Sequence, residues 1–304
     1  MAFWAVAASK AIRAVAPGGT PGRNGGKERI VKKRLAPIVF ILGALIALSV
    51  LLYPIVAGYV NSKNQSRAVM DYLDDMAVVD GSGKLVMLEA ARAHNLWLLG
   101  KSNRFSFTDG ETAQYKRLLD AGRGIMGVLE IDKIGVRLPI YHGTDEAVLQ
   151  VGIGHMQNSS LPVGGAGTHV FITGHRGLPS SKLLSNLDKI AEGDVFILYV
   201  LSDTLTYQVD EIKIVLPDEA ETMTIDRDMD YCTLVTCTPY GVNTHRLLVR
   251  GQRIETAPVE TIIPNARRLD KLTVLPFFLV PVLLVLFIVA AVKCVQISKR
   301  KKAE

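Results

Sequence analysis

Two hydrophobic rhythms divide the chain. Ala36 to Val60 and Leu272 to Val292 contain no charged residue, and each is long enough for a helix to cross a bilayer, which takes about 20 residues. Between them the pattern turns globular. Val69, Tyr72, Leu73 and Met76 recur at the i, i+3, i+4, i+7 spacing of a helix face within Ser62 to Val79. Asp80-Gly81-Ser82-Gly83 is a turn, and Lys84 to Leu99 reads as a second helix. The pattern then dissolves into a loop, KSNRFSFTDG, ahead of a short helix near Tyr115 to Leu119.

From Gly127 the period shortens to that of strands. GVLEI, a turn at Asp132-Lys133 and VRLPIY come first, followed by a strand-like run from Val170 to Thr173. Phe196 to Val200 and Thr204 to Val215 form a hairpin around Ser202-Asp203. Thr233 to Thr236 and Arg246 to Arg250 flank the turn residues Thr238-Pro239-Tyr240-Gly241. Two helical inserts interrupt the strands. Glu146 to Val151 is brief, and Ser181 to Ala191 carries Leu183, Leu184, Leu187 and Ile190 as one stripe, with serines to cap it and Gly193 to end it. Many short strands separated by turns predict a mainly β fold, a closed antiparallel barrel that leaves no exposed edge. Short helices, an N-terminal helical pair and two transmembrane helices complete the expected fold.

Charge fixes a topology on this pattern. Residues 1–35 carry 8 Lys/Arg and 1 acid, residues 293–304 carry 5 and 1, and residues 61–271 carry 22 basic and 27 acidic side chains. The net +6 therefore sits at the ends, and nothing in the acidic middle argues for nucleic acid. Basic residues flanking a span favour the cytoplasmic side, so both termini are expected inside and the central domain outside a cell membrane. The first apolar run exceeds the 7–15 residues of a signal-peptide core, and no A-x-A site stands directly after it, so it reads as an anchor. The expected organisation is a cytoplasmic tail at 1–35, a transmembrane helix at 36–60 and an extracellular helical region at 61–124. A barrel at 125–255, a linker at 256–271, a second transmembrane helix at 272–292 and a basic cytoplasmic tail at 293–304 follow.

Of the three cysteines, Cys294 falls at the inner end of the second span. Cys232 and Cys237 lie an odd number of residues apart on one strand and point to opposite faces, so Cys237 is expected as a free thiol and Cys232 as a small buried hydrophobe. The turn after Cys237 brings Arg246 opposite it at the end of a two-stranded unit. A guanidinium beside a thiol favours thiolate, the form that attacks. Arginine does not readily release a proton, so it is suited to holding an oxyanion rather than to acting as a base. A base or acid must come from elsewhere, and His175, in TGHRG just past a strand end, is the candidate among His94, His142, His155, His169, His175 and His245. Gly164-Gly165-Ala166-Gly167 lacks the Lys-Ser/Thr of a phosphate-binding loop and reads as a tight turn. No His/Cys/Asp cluster has zinc spacing and no EF-hand loop is present, so no metal or other cofactor is expected.

TLVTC, a loop and Arg246, with TGHRG upstream, resemble the sortase family, and TCTPYGVNTHRLLVRG is most similar to its class C, pilin-polymerising branch. The resemblance runs from about Ser62 to the second apolar run and is strongest from Gly127 to Arg253. It implies a sortase-like barrel and a membrane-anchored cysteine transpeptidase acting on pilin precursors with a Leu-Pro-x-Thr-Gly-like sorting signal. Cys237 would attack the Thr carbonyl, Arg246 would stabilise the oxyanion or position substrate, and His175 would protonate the leaving amine and later deprotonate a pilin lysine. Class C members carry an Asp-Pro-aromatic lid ahead of the barrel, whereas this chain has Phe107-Thr108-Asp109-Gly110. Asp109 reaching Arg246, and Phe105 or Phe107 covering Cys237, are the lid contacts the resemblance leaves open. Alternatives are a housekeeping sortase that attaches proteins to cell wall, a hydrolytic cysteine peptidase using the same site, and a non-enzymatic anchored scaffold.

Overall fold

The computed structural model describes residues 25–120, 122–220 and 224–256. The expected linker, second span and C-terminal tail, together with Cys294, lie outside the described residues, as does most of the N-terminal tail.

Helix α1 (Gly25–Val78) is continuous. It includes residues 25–35, expected as part of the cytoplasmic tail, and it merges the first span with the following amphipathic helix. Within it Ile41–Val78 contains a window of mean hydropathy 2.3 with none of it buried, and this is the one helix among the described residues long and apolar enough to cross a membrane. The barrel belongs to a compact unit that begins at Leu51. In that unit Val69, Tyr72 and Met76 of α1 are buried against Ile125 and Val128, three of the four positions of the predicted stripe. The Tyr72 hydroxyl donates to Met126 O at 3.2 Å and accepts from Leu201 N–H at 2.9 Å, fastening α1 to one strand and to a turn between two others. Asn61 and Gln65, on the same face of α1, donate to Ser180 O and Ser181 Oγ.

Helix α2 (Gly81–Gly100) starts at an Asp80 cap whose carboxylate accepts from Gly83 N–H. Helix α3 (Asp109–Tyr115) starts at Thr108, which forms a reciprocal capping box with Glu111. It thus begins and ends several residues earlier than the apolar pattern near Tyr115 to Leu119 suggested, because satisfying orphan N–H groups fixes the start.

Strands β1 (Ile125–Ile131), β2 (Val136–His142), β3 (Ile153–His155), β4 (Thr168–Thr173), β5 (Val195–Val200), β6 (Asp203–Val215), β7 (Asp230–Thr238) and β8 (His245–Ile254) close into a barrel in the order β1-β2-β3-β4-β7-β8-β6-β5. The expected closed β-barrel is present, but its pairing is mixed: β2–β3 and β4–β7 run parallel and the other neighbours antiparallel. Short helix α4 (Glu146–Val151) supplies the crossover between β2 and β3, since parallel neighbours cannot be joined by a tight hairpin. Helix α5 (Pro217–Ala220) follows β6.

The segment Ser181 to Ala191 differs from expectation. It consists of turns and one 3-10 turn, Leu187–Lys189, rather than an α-helix. Leu183, Leu184, Leu187 and Ile190 are nonetheless buried in the main core. Leu183 has φ 33°, outside the helical region, and the Leu184 N–H donates to His175 O instead of a helical partner. Burial of the stripe was correctly signalled by its pattern, but tertiary hydrogen bonds decided the backbone.

Candidate active site

Strands β7 and β8 pair with Cys237 directly opposite Arg246 and Val235 opposite Leu248. Leu234 and Val249 fill the barrel interior, so alternation turns Val235, Cys237, Arg246 and Leu248 to the outer face. There Phe171, Val235 and Leu248 form a small apolar cluster, flanked by Met156 and Val215. Cys237 is half-buried and unpaired at the end of that stripe, whereas Cys232 is fully buried in the interior. Burial pushes the Cys232 thiol well above its ordinary range, with the nearby Asp230 carboxylate adding to the effect. The Arg246 guanidinium donates to the carbonyls of Asn243 and His245, which curl it back over the β7–β8 turn.

His175 arrives from β4. Thr173 pairs with Val235, Gly174 N–H continues the ladder to Val235 O at 3.1 Å, and Thr236 Oγ1 donates to Gly174 O at 2.8 Å. Two residues beyond Thr173 and two beyond Val235 stand His175, just past the end of β4, and Cys237, near the end of its parallel neighbour β7. The structure therefore brings the three sequence candidates to one end of the β4–β7–β8 sheet. Gly174 is required there, since a Cβ would come within 2.7 Å of Ile153.

Three further residues surround the site. Arg176, almost wholly buried, bridges the His175 and Cys237 segments: it pairs with Asp188 at 2.7 Å, donates to Thr238 Oγ1 at 3.2 Å, and lies 5.8 Å from the Tyr240 ring. Tyr240 also covers Gly177, which has φ 80° and would place a Cβ 3.3 Å from that ring. Glu146, on the first turn of α4, approaches His175 Nε2 at 3.5 Å. Sequence reasoning used Glu146 only as a helix start and Arg176 only as part of a motif. The basic residue beside His175 was the available signal for the second, while the first depends on a crossover that no local pattern encodes.

The three lid residues have other surroundings. Phe107 lies 6.4 Å from Trp97, with Lys101 Nζ over both rings. Phe105 is exposed beside Arg104, its N–H donating to Asn103 Oδ1. Asp109 opens α3, where a carboxylate favours the helix N-terminus, and Lys101 pairs with Glu111 two residues on.

Four of the remaining five histidines make structural hydrogen bonds, and His94 packs against Trp97 and Tyr115. His142 bonds the carbonyls of Gly124 and Leu118. His155 bonds Tyr115 and Ser160 O, and desolvation holds its imidazole down at about 3. His169 bonds Thr224 O and Thr233 Oγ1, with burial lowering it to about 4. His245 bonds Thr244. Arg250 forms ion pairs with Asp210 and Glu211 on the surface. Among the described residues no group of His, Cys, Asp or Glu is arranged to hold a metal.

The Sortase domain family matches residues 129–254, the span of the barrel from β1 to the end of β8. Sortase D of Bacillus subtilis is 30% identical over 131 residues, which cover 42% of this chain and 63% of that protein. The chain matches about six tenths of the length of its curated relatives. Among solved structures, sortase C1 from Streptococcus agalactiae is 46% identical with a TM-score of 0.61, covering 63% of this chain and 100% of that one. Sortase C from Streptococcus pneumoniae is 41% identical with a TM-score of 0.58, over 64% of this chain and 100% of the other. With the family's barrel and nearly half its residues shared across the whole of a sortase C1 structure, the chain belongs to the sortase family.

Proposed function

We propose that this protein is a membrane-anchored cysteine transpeptidase that cleaves a Leu-Pro-x-Thr-Gly-like sorting signal and joins pilin subunits to one another through lysine. The observation that carries the reading is the pairing of Cys237 with Arg246 across β7 and β8, at the level where β4 delivers His175. Cys237 Sγ attacks the Thr carbonyl, and Arg246 rotates from its carbonyl acceptors to hold the oxyanion. His175, as imidazolium, gives its proton to the departing glycine amine, leaving a thioester on Cys237. A lysine amine then attacks the thioester, passes its proton to neutral His175 and releases the sulfur as thiolate. The cycle restores both charges and consumes no water. It needs thiolate and imidazolium together, so the rate passes through a maximum with pH.

The pilin reading is supported by the Streptococcus pneumoniae sortase C structure, which bears on pilin substrate specificity, and by sortase C1 of the group B streptococcal pilus island 1. The exposed apolar stretch of α1 supports anchoring in a membrane. Charge at the chain ends supports two crossings, with both termini cytoplasmic and the barrel outside the cell. A housekeeping sortase and a hydrolytic peptidase share the same first half-reaction and differ in the acceptor. Incubation with a sorting-signal peptide alone, with a pilin carrying an acceptor lysine, and with a cell-wall peptide amine separates the three by product mass. Cys237→Ala is expected to abolish both the trapped thioester and the cross-linked ladder while the protein still folds; a ladder that survives refutes the assignment.

A further inference from the structure

His175 Nε2 is sealed from solvent and has no hydrogen-bond partner. Among the described residues the acidic group within ion-pair distance of it is the Glu146 carboxylate, 3.5 Å away and carried on an exposed side chain. An unpaired buried ring nitrogen is costly, and a histidine's working nitrogen is set by what holds the other one. We propose that Glu146 is a positioning residue for His175, accepting the Nε2–H so that Nδ1 is the nitrogen left to exchange protons with substrate.

The surroundings favour this role. Glu146 is the first residue of α4, in the crossover whose parallel pairing sets β3 beside β2, so its place follows from the barrel rather than from a loop tip. It also bonds Gln150 one turn on, a partner that limits its swing and, ahead of His175, holds its carboxyl below the usual range. Other charges near His175 are committed elsewhere: Arg176 to Asp188, and Arg246 to the Asn243 and His245 carbonyls. At 3.5 Å the Glu146 contact is loose, as catalytic contacts often are before substrate binds. A small rotation of the exposed side chain closes it to a hydrogen bond.

The inference rests on the transpeptidase reading for its catalytic meaning, but its test reads the imidazole directly. The full chain, labelled with 15N-histidine and held in lipid nanodiscs, is examined by long-range proton–nitrogen NMR, with His175→Gln identifying the signals. The wild type is expected to show the Nε2–H tautomer of neutral His175. Glu146→Ala is expected to mix the tautomers and to lower kcat by about 2- to 5-fold, the scale of an exposed ionic contact, while KM stays within about twofold. Glu146→Gln, which keeps an acceptor oxygen, restores most of the tautomer and the rate. Identical His175 nitrogen signals in the wild type and Glu146→Ala overturn the inference and leave the transpeptidase reading standing. A response in those signals from a protein that transfers no peptide supports the contact and defeats the transpeptidase reading.

Discussion

Substituting His155 tests how the barrel holds its buried polar network. The imidazole is fully buried, with Nε2 facing Ser160 O at 2.8 Å and Nδ1 at 2.9 Å from the Tyr115 hydroxyl. As a neutral ring it carries its proton toward the carbonyl and accepts from the phenol, so both nitrogens are satisfied without charge. Burial is the main force holding it at about 3, and the nearby His142 and His94 act in the same direction. In the unfolded chain the same ring titrates near 6.5. Above that pH both states are neutral, and the ring adds no pH dependence. As pH falls below it, only the unfolded chain takes up the proton, so stability is lost progressively until about pH 3. Between pH 7 and pH 5 the loss is about 2 kcal/mol.

Other groups titrate too; Asp230 is raised, chiefly by burial, and works in the opposite direction. Comparison with His155→Gln cancels them. The variant is expected to be less stable than wild type at pH 7, because glutamine cannot reproduce both contacts. The gap should narrow by about 2 kcal/mol at pH 5, where the wild type alone bears the penalty. Urea unfolding followed by near-ultraviolet circular dichroism at the two pH values measures the gap. A gap of equal size at both refutes the neutral, desolvated imidazole.

Two more outcomes bear on the site. Arg246→Lys keeps the charge but not the planar fork, and is expected to lower kcat/KM for sorting-peptide cleavage by about 10²- to 10³-fold; near-wild-type cleavage would remove Arg246 from oxyanion binding. A small thiol reagent is expected to label Cys237 at least about tenfold faster than Cys232, whose buried thiol is held away from its thiolate. Fragment masses of the peptide that spans both residues read the ratio, and equal labelling would contradict the burial that separates them.

The strands were legible because a half-buried sheet writes a period of two, and the β7–β8 pairing could be anticipated from the turn between Cys237 and Arg246. Motif and strand ends together were enough to bring His175 to the same rim. The stripe at Leu183, Leu184, Leu187 and Ile190 was misread as helix because spacing reports which side chains are buried, not which backbone bonds they force. Helix α3 was misplaced by following apolar residues instead of the Thr108–Glu111 capping signal. Glu146 and Arg176 escaped because their neighbours are 29 and 62 residues distant, at His175 and Thr238, and a crossover or a parallel pairing has no local signature.

That parallel pairing of β4 with β7 also governs timing. A hairpin assembles from its own neighbourhood, but β4 must wait for more than fifty intervening residues to be made before β7 can lie beside it, and such distant pairings form slowly. The imidazole of His175 is thus made well before the sulfur it will face, and the two stand side by side only when β7 closes against β4. A partly folded barrel therefore holds Cys237 and His175 apart, and the site is assembled only with closure of the sheet.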